Sequence, residues 1–163
     1  ANRILGSDLV TNVEKIEAHY FAGQAHLGNN NIDKAYDAFS KAAALTTNEI
    51  GVESRFHMAD ILFQKGKLDE SKAKCQEIIN DMPAYEEWIV RSYILLADIS
   101  AAKGDFAQAK ATLNSIIDNY KGDPSLVELA KQKLEQIEQM EKSGRRKPST
   151  DTNDDEELNF DNN

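Results

Sequence analysis

Three stretches of this chain are versions of one another, and that self-similarity narrows its fold more than any other feature. Gly23 to Ala35, Ala59 to Ser71 and Ala97 to Ala109 align without a gap over thirteen residues. Ala35, Ser71 and Ala109 stand 36 and then 38 residues apart. Asn30, Gly66 and Gly104 fall where a helix must end and the chain must turn. Glycine enters the left-handed region without a Cβ penalty, and asparagine tolerates it. Ile32, Leu68 and Phe106 follow as apolar plugs. Gly23, Ala59 and Ala97 before the turn, with Ala35, Ser71 and Ala109 after it, are small enough to let two helix axes approach closely. Phe39, Cys75 and Leu113 come four residues later, and Ala42, Ile78 and Ile116 three after that, which makes one apolar helical stripe. The spacing predicts three helix–turn–helix units in an all-α chain.

The boundaries agree with this division. Thr46-x-x-Glu49 reads as a capping box before the second unit, and Pro83 breaks the chain before the third. Asp123-Pro124 suits the N-cap and first position of a seventh helix, from Ser125 to about Glu141. Leu126, Leu129, Ala130, Leu134 and Ile137 share one face of it; Lys131, Lys133, Gln136 and Glu138 share another. One apolar and one polar face is what a helix needs to cap a stack. Ile4-Leu5-Gly6-Ser7 precedes the first unit as Ile78-Ile79-Asn80-Asp81 precedes the third. Residues 1–12 are therefore expected to be the remnant of a preceding repeat helix and a linker, in the C-terminal piece of a longer array.

Composition removes several function classes. With 19 Lys and Arg against 28 Asp and Glu, the net charge of −9 lacks the basic footprint of a nucleic-acid binder. One cysteine excludes an intramolecular disulfide and any multi-cysteine zinc or iron–sulfur site. No apolar run is long enough to span a bilayer, since Arg91 and Asp98 interrupt the stretch from Ile89 to Ile99. Residues 142–163 pass from a turn-rich basic linker into Asp151 to Asn163, which carries acids and no base. Such a segment is expected to be a disordered acidic tail. Leu158 and Phe160 within it are candidates for self-association through a neighbour's groove.

Catalytic chemistry is not indicated. Cys75 lies on the apolar stripe and reads as a small core residue. His19 and His26 share a helix face but lack the i, i+4 spacing of a strong metal pair. Glu86 and Glu87 are sequence neighbours that project about 100° apart on a helix, so they do not form an acid–base pair. No glycine-rich phosphate loop follows a strand. The chain is read as non-enzymatic, with no catalytic residue, metal or cofactor.

The repeat resembles the tetratricopeptide repeat, a roughly 34-residue helix–turn–helix unit with small residues at fixed positions. The resemblance covers about Lys15 to Tyr120. Gly23, Ala35, Phe39 and Ala42 carry it in the first unit, Gly66, Leu68, Ser71 and Pro83 in the second, and Ala97, Gly104, Phe106 and Ala109 in the third. The position that is tryptophan-like in the family holds His19, Arg55 and Tyr93. The linkers run longer than the family standard, as in tetratricopeptide proteins of bacterial cell envelopes, which points to the periplasm or envelope. The resemblance implies a right-handed superhelix of antiparallel helix pairs over residues 13–141, whose first helices line a concave groove for a protein or peptide segment. The implied groove residues include Tyr20, Phe21, Gln24 and Leu27 in the first unit. Phe56, His57, Asp60 and Phe63 follow in the second, and Arg91, Ile94, Leu95 and Asp98 in the third. Glu17 and Glu53 flank them.

That lining suggests an apolar peptide or helix docked by shape, with Gln24, Asp60, Arg91 and Asp98 setting polarity. The carboxylate clamp by which some members hold chaperones needs cations or asparagine where this chain has Tyr20, Gln24, His57, Arg91 and Leu95. Only Arg91 qualifies, so that function is not expected. Two other readings stay open. One is an accessory domain of a larger envelope enzyme or assembly machine. The other is a glycan-binding helical repeat, with Trp88 as the one tryptophan available as a platform.

Overall fold

A computed structural model describes residues 2–145. They form seven helices: α1 (Asn2–Gly28), α2 (Ile32–Leu45), α3 (Glu49–Gln64), α4 (Leu68–Asp81), α5 (Glu86–Ala102), α6 (Phe106–Asn119) and α7 (Pro124–Arg145). No strand occurs among the described residues. Helix α1 is continuous through residue 12, so no linker separates the expected remnant from the first unit. No proline interrupts that stretch, and a single Gly6 weakens a helix without ending it. Helix α7 continues past Glu141 to Arg145. The rest of the expected tail, residues 146–163, lies outside the described residues.

The three turns are built alike because the sequence puts the same chemistry in each. Asn30, Gly66 and Gly104 have φ of 57°, 72° and 83°. The N–H of the next residue then reaches back five positions: Asn31 to His26 O at 2.8 Å, Lys67 to Leu62 O at 2.9 Å, and Asp105 to Ser100 O at 2.9 Å. This satisfies carbonyls that the ending helix would leave unpaired. Helix α3 starts differently from the expected capping box. Glu49 is its first residue rather than its third, and Asn48 is the cap, its Oδ1 accepting from Gly51 N at 3.2 Å. Thr46 instead accepts from Asn48 N at 3.1 Å. At α7 the expected cap is present, with Asp123 accepting from Ser125 N at 2.8 Å.

Consecutive helices pack as antiparallel pairs, and each odd-numbered helix also touches the next odd-numbered one. Among the described residues, α2, α4 and α6 do not meet each other. The odd helices therefore form a continuous inner layer and the even ones a separated outer layer. Bulk on one helix of a pair is matched by smallness on the other. A Cβ on Gly23 would lie 2.6 Å from the ring of Phe39. The corresponding pairs are Ala59 with Cys75 and Ala97 with Leu113, each pair in a single core cluster. The largest cluster closes the C-terminal end, where Ile94, Leu113, Leu126 and Ile137 are all buried. Burial of each such side chain contributes about 1.5–3 kcal/mol.

One pair of contacts repeats between units. Lys65 at the end of α3 meets Asp33 of α2 at 2.5 Å, and Lys103 at the end of α5 meets Asp69 of α4. Ala107 stands where a third aspartate would continue the series. These groups are solvent-exposed, so they align neighbouring units more than they stabilise them.

Candidate functional site

Helical spacing brings a line of polar side chains onto the inner layer. Tyr20 and Gln24 are one turn apart on α1, and Glu53, His57 and Asp60 follow the same period on α3. Arg91 and Asp98 lie two turns apart on α5. Tyr20 donates to Glu53 Oε1 at 2.8 Å, and Gln24 Nε2 donates to the Tyr20 hydroxyl at 3.1 Å. The same amide meets His57 Nε2 at 3.2 Å, while Glu53 Oε1 stands 3.5 Å from that nitrogen. A proton on Nε2 would suit the Glu53 carboxylate, whereas donation by the Gln24 amide needs that nitrogen bare and favours the neutral imidazole. Burial pushes the His57 pKa down in the same sense, against the opposing pull of Glu53 and Asp60. The ring stacks on Phe39 with centroids 4.6 Å apart. The Tyr20 hydroxyl is pushed up, by burial first and then by Glu53.

Farther along, Arg91 donates to Glu87 Oε1 at 2.8 Å and lies 5.3 Å above the Trp88 ring. Lys133 of α7 pairs with Asp98 at 2.8 Å. Burial raises the Asp98 carboxyl despite that cation, and Asp60 adds to the rise. Asp60 accepts from Gln64 at 2.8 Å and forms no ion pair among the described residues. The polar line thus runs from α1 to α7, with Asp60 near its middle.

A family model for the tetratricopeptide repeat matches residues 91–123. That is the third helix pair, whose turn and small residues the first two pairs share. Those residues are similar to a tetratricopeptide repeat, and the all-helical chain around them fits such an array. No curated protein and no solved structure matches it. Tetratricopeptide repeats are in general protein–protein interaction modules, so partners of this repeat protein are sought first among proteins.

The apolar lining expected of this tetratricopeptide array is largely closed. Ile94 and Leu95 are each only 4% exposed, in two different core clusters. Helix α5 is covered by α3, α4, α6 and α7, so it is apolar on most sides and its pattern alone does not say which side is open. Phe56 packs against Trp88 at 5.5 Å, and Phe63 joins the cluster of Ala59, Cys75 and Ile99. Leu27 packs against the cluster of Ala35, Phe39 and Ile61. Phe21 alone among the expected aromatics is open, at 62% exposure, edge-on to Tyr20. Phe56, Phe63 and Leu27 stay half-buried, so the inner face combines the polar line with partly covered apolar side chains and one open aromatic.

Other expectations resolve on burial. Cys75 is buried and its thiol is pushed up to about 12, by burial first and then by Asp60, so it carries little thiolate. Trp88 packs among Val52, Ile78, Met82 and Tyr85. Among the described residues its buried Nε1 has no hydrogen-bond partner, and Phe56 and Arg91 stand against the ring. Among the described residues no group of three or more His, Cys, Asp or Glu could hold a metal ion. No helix among them is long and apolar enough to cross a membrane. The sequence reading missed Lys133 and Glu87 as members of the polar line. Glu87 was accessible, because Glu87–Arg91 is an i, i+4 pair. Lys133 was not, since nothing local aims it at Asp98, 35 residues away.

Proposed function

We propose that this protein is a non-enzymatic interaction module whose inner face, on α1, α3, α5 and α7, holds a segment of a partner protein by hydrogen bonds and charge. The observation that carries this reading is the polar line itself. Its members are held in two sets, α1 with α3 and α5 with α7, so little side-chain entropy remains to be lost in each when a partner arrives. Asp60, with no cation of its own, asks for a basic side chain on the partner. Phe21 asks for an apolar anchor beside it. A short basic segment with one aliphatic or aromatic residue meets both demands and suits a chain of net charge −9.

The test is selection of displayed peptides on the whole chain, followed by titration of the enriched sequences. Basic peptides with one apolar residue are expected. Asp60→Lys combined with Phe21→Ala should weaken them at least about tenfold with helicity unchanged. Undiminished binding by that variant removes the inner face as the docking site.

A further inference from the structure

One place on the repeat framework is plugged in the second unit and open in the third. Arg55 of α3 donates to the carbonyl oxygens of Ala43 at 2.6 Å, Gly51 at 2.9 Å and Thr46 at 3.1 Å. Its Nε also meets Glu77 of α4 at 3.1 Å, and Glu77 takes Lys74 at 2.6 Å. This ion network fills the crevice between α3, α4 and the end of α2. Thirty-eight residues on, Arg55, Lys74 and Glu77 are replaced by Tyr93, Thr112 and Ser115. None of these can form an ion pair, and the position opens as a cleft of about 900 Å³ along α6. A second cleft of about 310 Å³ shares Tyr93, Gln108 and Thr112 with it and prolongs it towards Lys103.

The α6 wall of the larger cleft is an uncharged ladder, while its extension also meets Lys72, Lys103 and Asp105. Gln108, Thr112, Ser115 and Asn119 follow i, i+4, i+7 and i+11 on α6; Thr112 Oγ1 donates to Gln108 O at 3.0 Å and accepts from Gln108 Nε2 at 3.3 Å, which leaves the Ser115 hydroxyl and the Gln108 and Asn119 amides to donate and accept. The Tyr93 ring stands at the mouth, 39% exposed. Among the described residues neither its hydroxyl nor that of Ser115 has a hydrogen-bond partner. Glu86 and Lys121 also line the cleft and are opposite in sign, so they give no net pull on a charged ligand.

We propose that this cleft binds a linear, uncharged oligosaccharide. Sugar hydroxyls donate and accept at once, which a wall of amides and hydroxyls answers and a wall of fixed charges does not. Tyr93 supplies a flat apolar face for a sugar ring, with a polar tip. Spacing decides against the nearest rival, an extended peptide. Rungs of the ladder recur on average about every 5.5 Å along the helix axis. Same-side groups of an extended peptide recur about every 6.7 Å and fall out of step. A pyranose ring advances by nearly the step of the wall. From Gln108 to Asn119 the axis runs about 16 Å, room for about three rings. A docked helix would need a continuous apolar stripe, whereas here Ala111 and Ile116 only flank the polar ladder and the Tyr93 and Tyr120 rings stand apart from them in sequence. The cleft lies on the α6 side of α5, so its occupancy does not depend on the inner-face reading above.

The experiment presents chitotriose, cellotriose and maltotriose to the whole chain, with saturation-transfer NMR and titration calorimetry as readouts. At least one trisaccharide is expected to bind at millimolar concentration or below. The triple substitution Tyr93→Arg, Thr112→Lys and Ser115→Glu installs the second unit's plug and should abolish that binding with helicity intact. Tyr93→Ala alone should weaken it about tenfold, and decides the matter if the triple variant misfolds. Silence from all three sugars overturns the proposal, as does binding that Tyr93→Ala leaves undiminished.

Discussion

The two ends of the array are joined by different chemistry on one frame. Where α1 meets α3, the joint is a stacked Phe39–His57 pair and a hydrogen-bonded set of Tyr20, Gln24 and Glu53 around the His57 imidazole. Where α5 and α6 meet α7, it is an aliphatic cluster clasped by Lys133–Asp98 at 2.8 Å and Lys110–Glu141 at 2.7 Å. The first joint depends on shape and protonation, the second on burial. A repeat array needs only that each unit cover its neighbour's face, so the means can change from one interface to the next.

The comparison can be broken most forcefully at the C-terminal joint. Leu126→Ala removes a fully buried side chain and should cost about 2–5 kcal/mol. Hydrogen exchange should then show α6 and α7 losing protection while α1 to α3 keep theirs. Uniform loss along the chain would mean that the two ends unfold as one unit.

A smaller effect is expected at the first joint. Gly23→Ala drives a methyl group into the Phe39 ring and should cost about 1–3 kcal/mol. Phe39→Leu in the same chain reproduces the Ala97–Leu113 pairing and should recover part of that loss. A double-mutant cycle on denaturant midpoints reads the coupling. Additive losses would show that bulk and smallness are not matched there.

The smallest effect is with pH. The folded state holds His57 below its unfolded value of 6.5, so just under that pH the unfolded chain binds the extra proton. Stability is then unaffected above about pH 6.5 and falls as pH drops towards the folded value, by at most about 1.4 kcal/mol per pH unit. The urea midpoint of the parent chain should fall more steeply between pH 7 and 5 than that of His57→Gln. Equal slopes would detach the first joint from protonation.

What could be read in advance was local. Asn30, Gly66 and Gly104 announce their turns because left-handed backbone is a property of single residues. The pairing of Gly23 with Phe39 follows from spacing across one turn. What could not be read depends on helices far apart in sequence. Tyr20 finds Glu53 across 33 residues and Arg55 finds Glu77 across 22. No pattern within either helix announces those contacts. The burial of two groove candidates was hidden for a related reason. Ile94 and Leu95 look like groove residues on an isolated helix and become core once four neighbours surround it. The cleft over α6 was invisible too, since it shows only when Tyr93, Thr112 and Ser115 are set beside Arg55, Lys74 and Glu77.

Among the described residues the even helices do not meet one another, while the odd ones form an unbroken spine. A stack joined along one side behaves mechanically like a book held by its binding. Its radius of curvature can change by opening or closing the gaps between α2, α4 and α6, with no helix bent and no turn unwound. Axial tension would be taken up first as that softer flexing, and only afterwards by rupture of the spine.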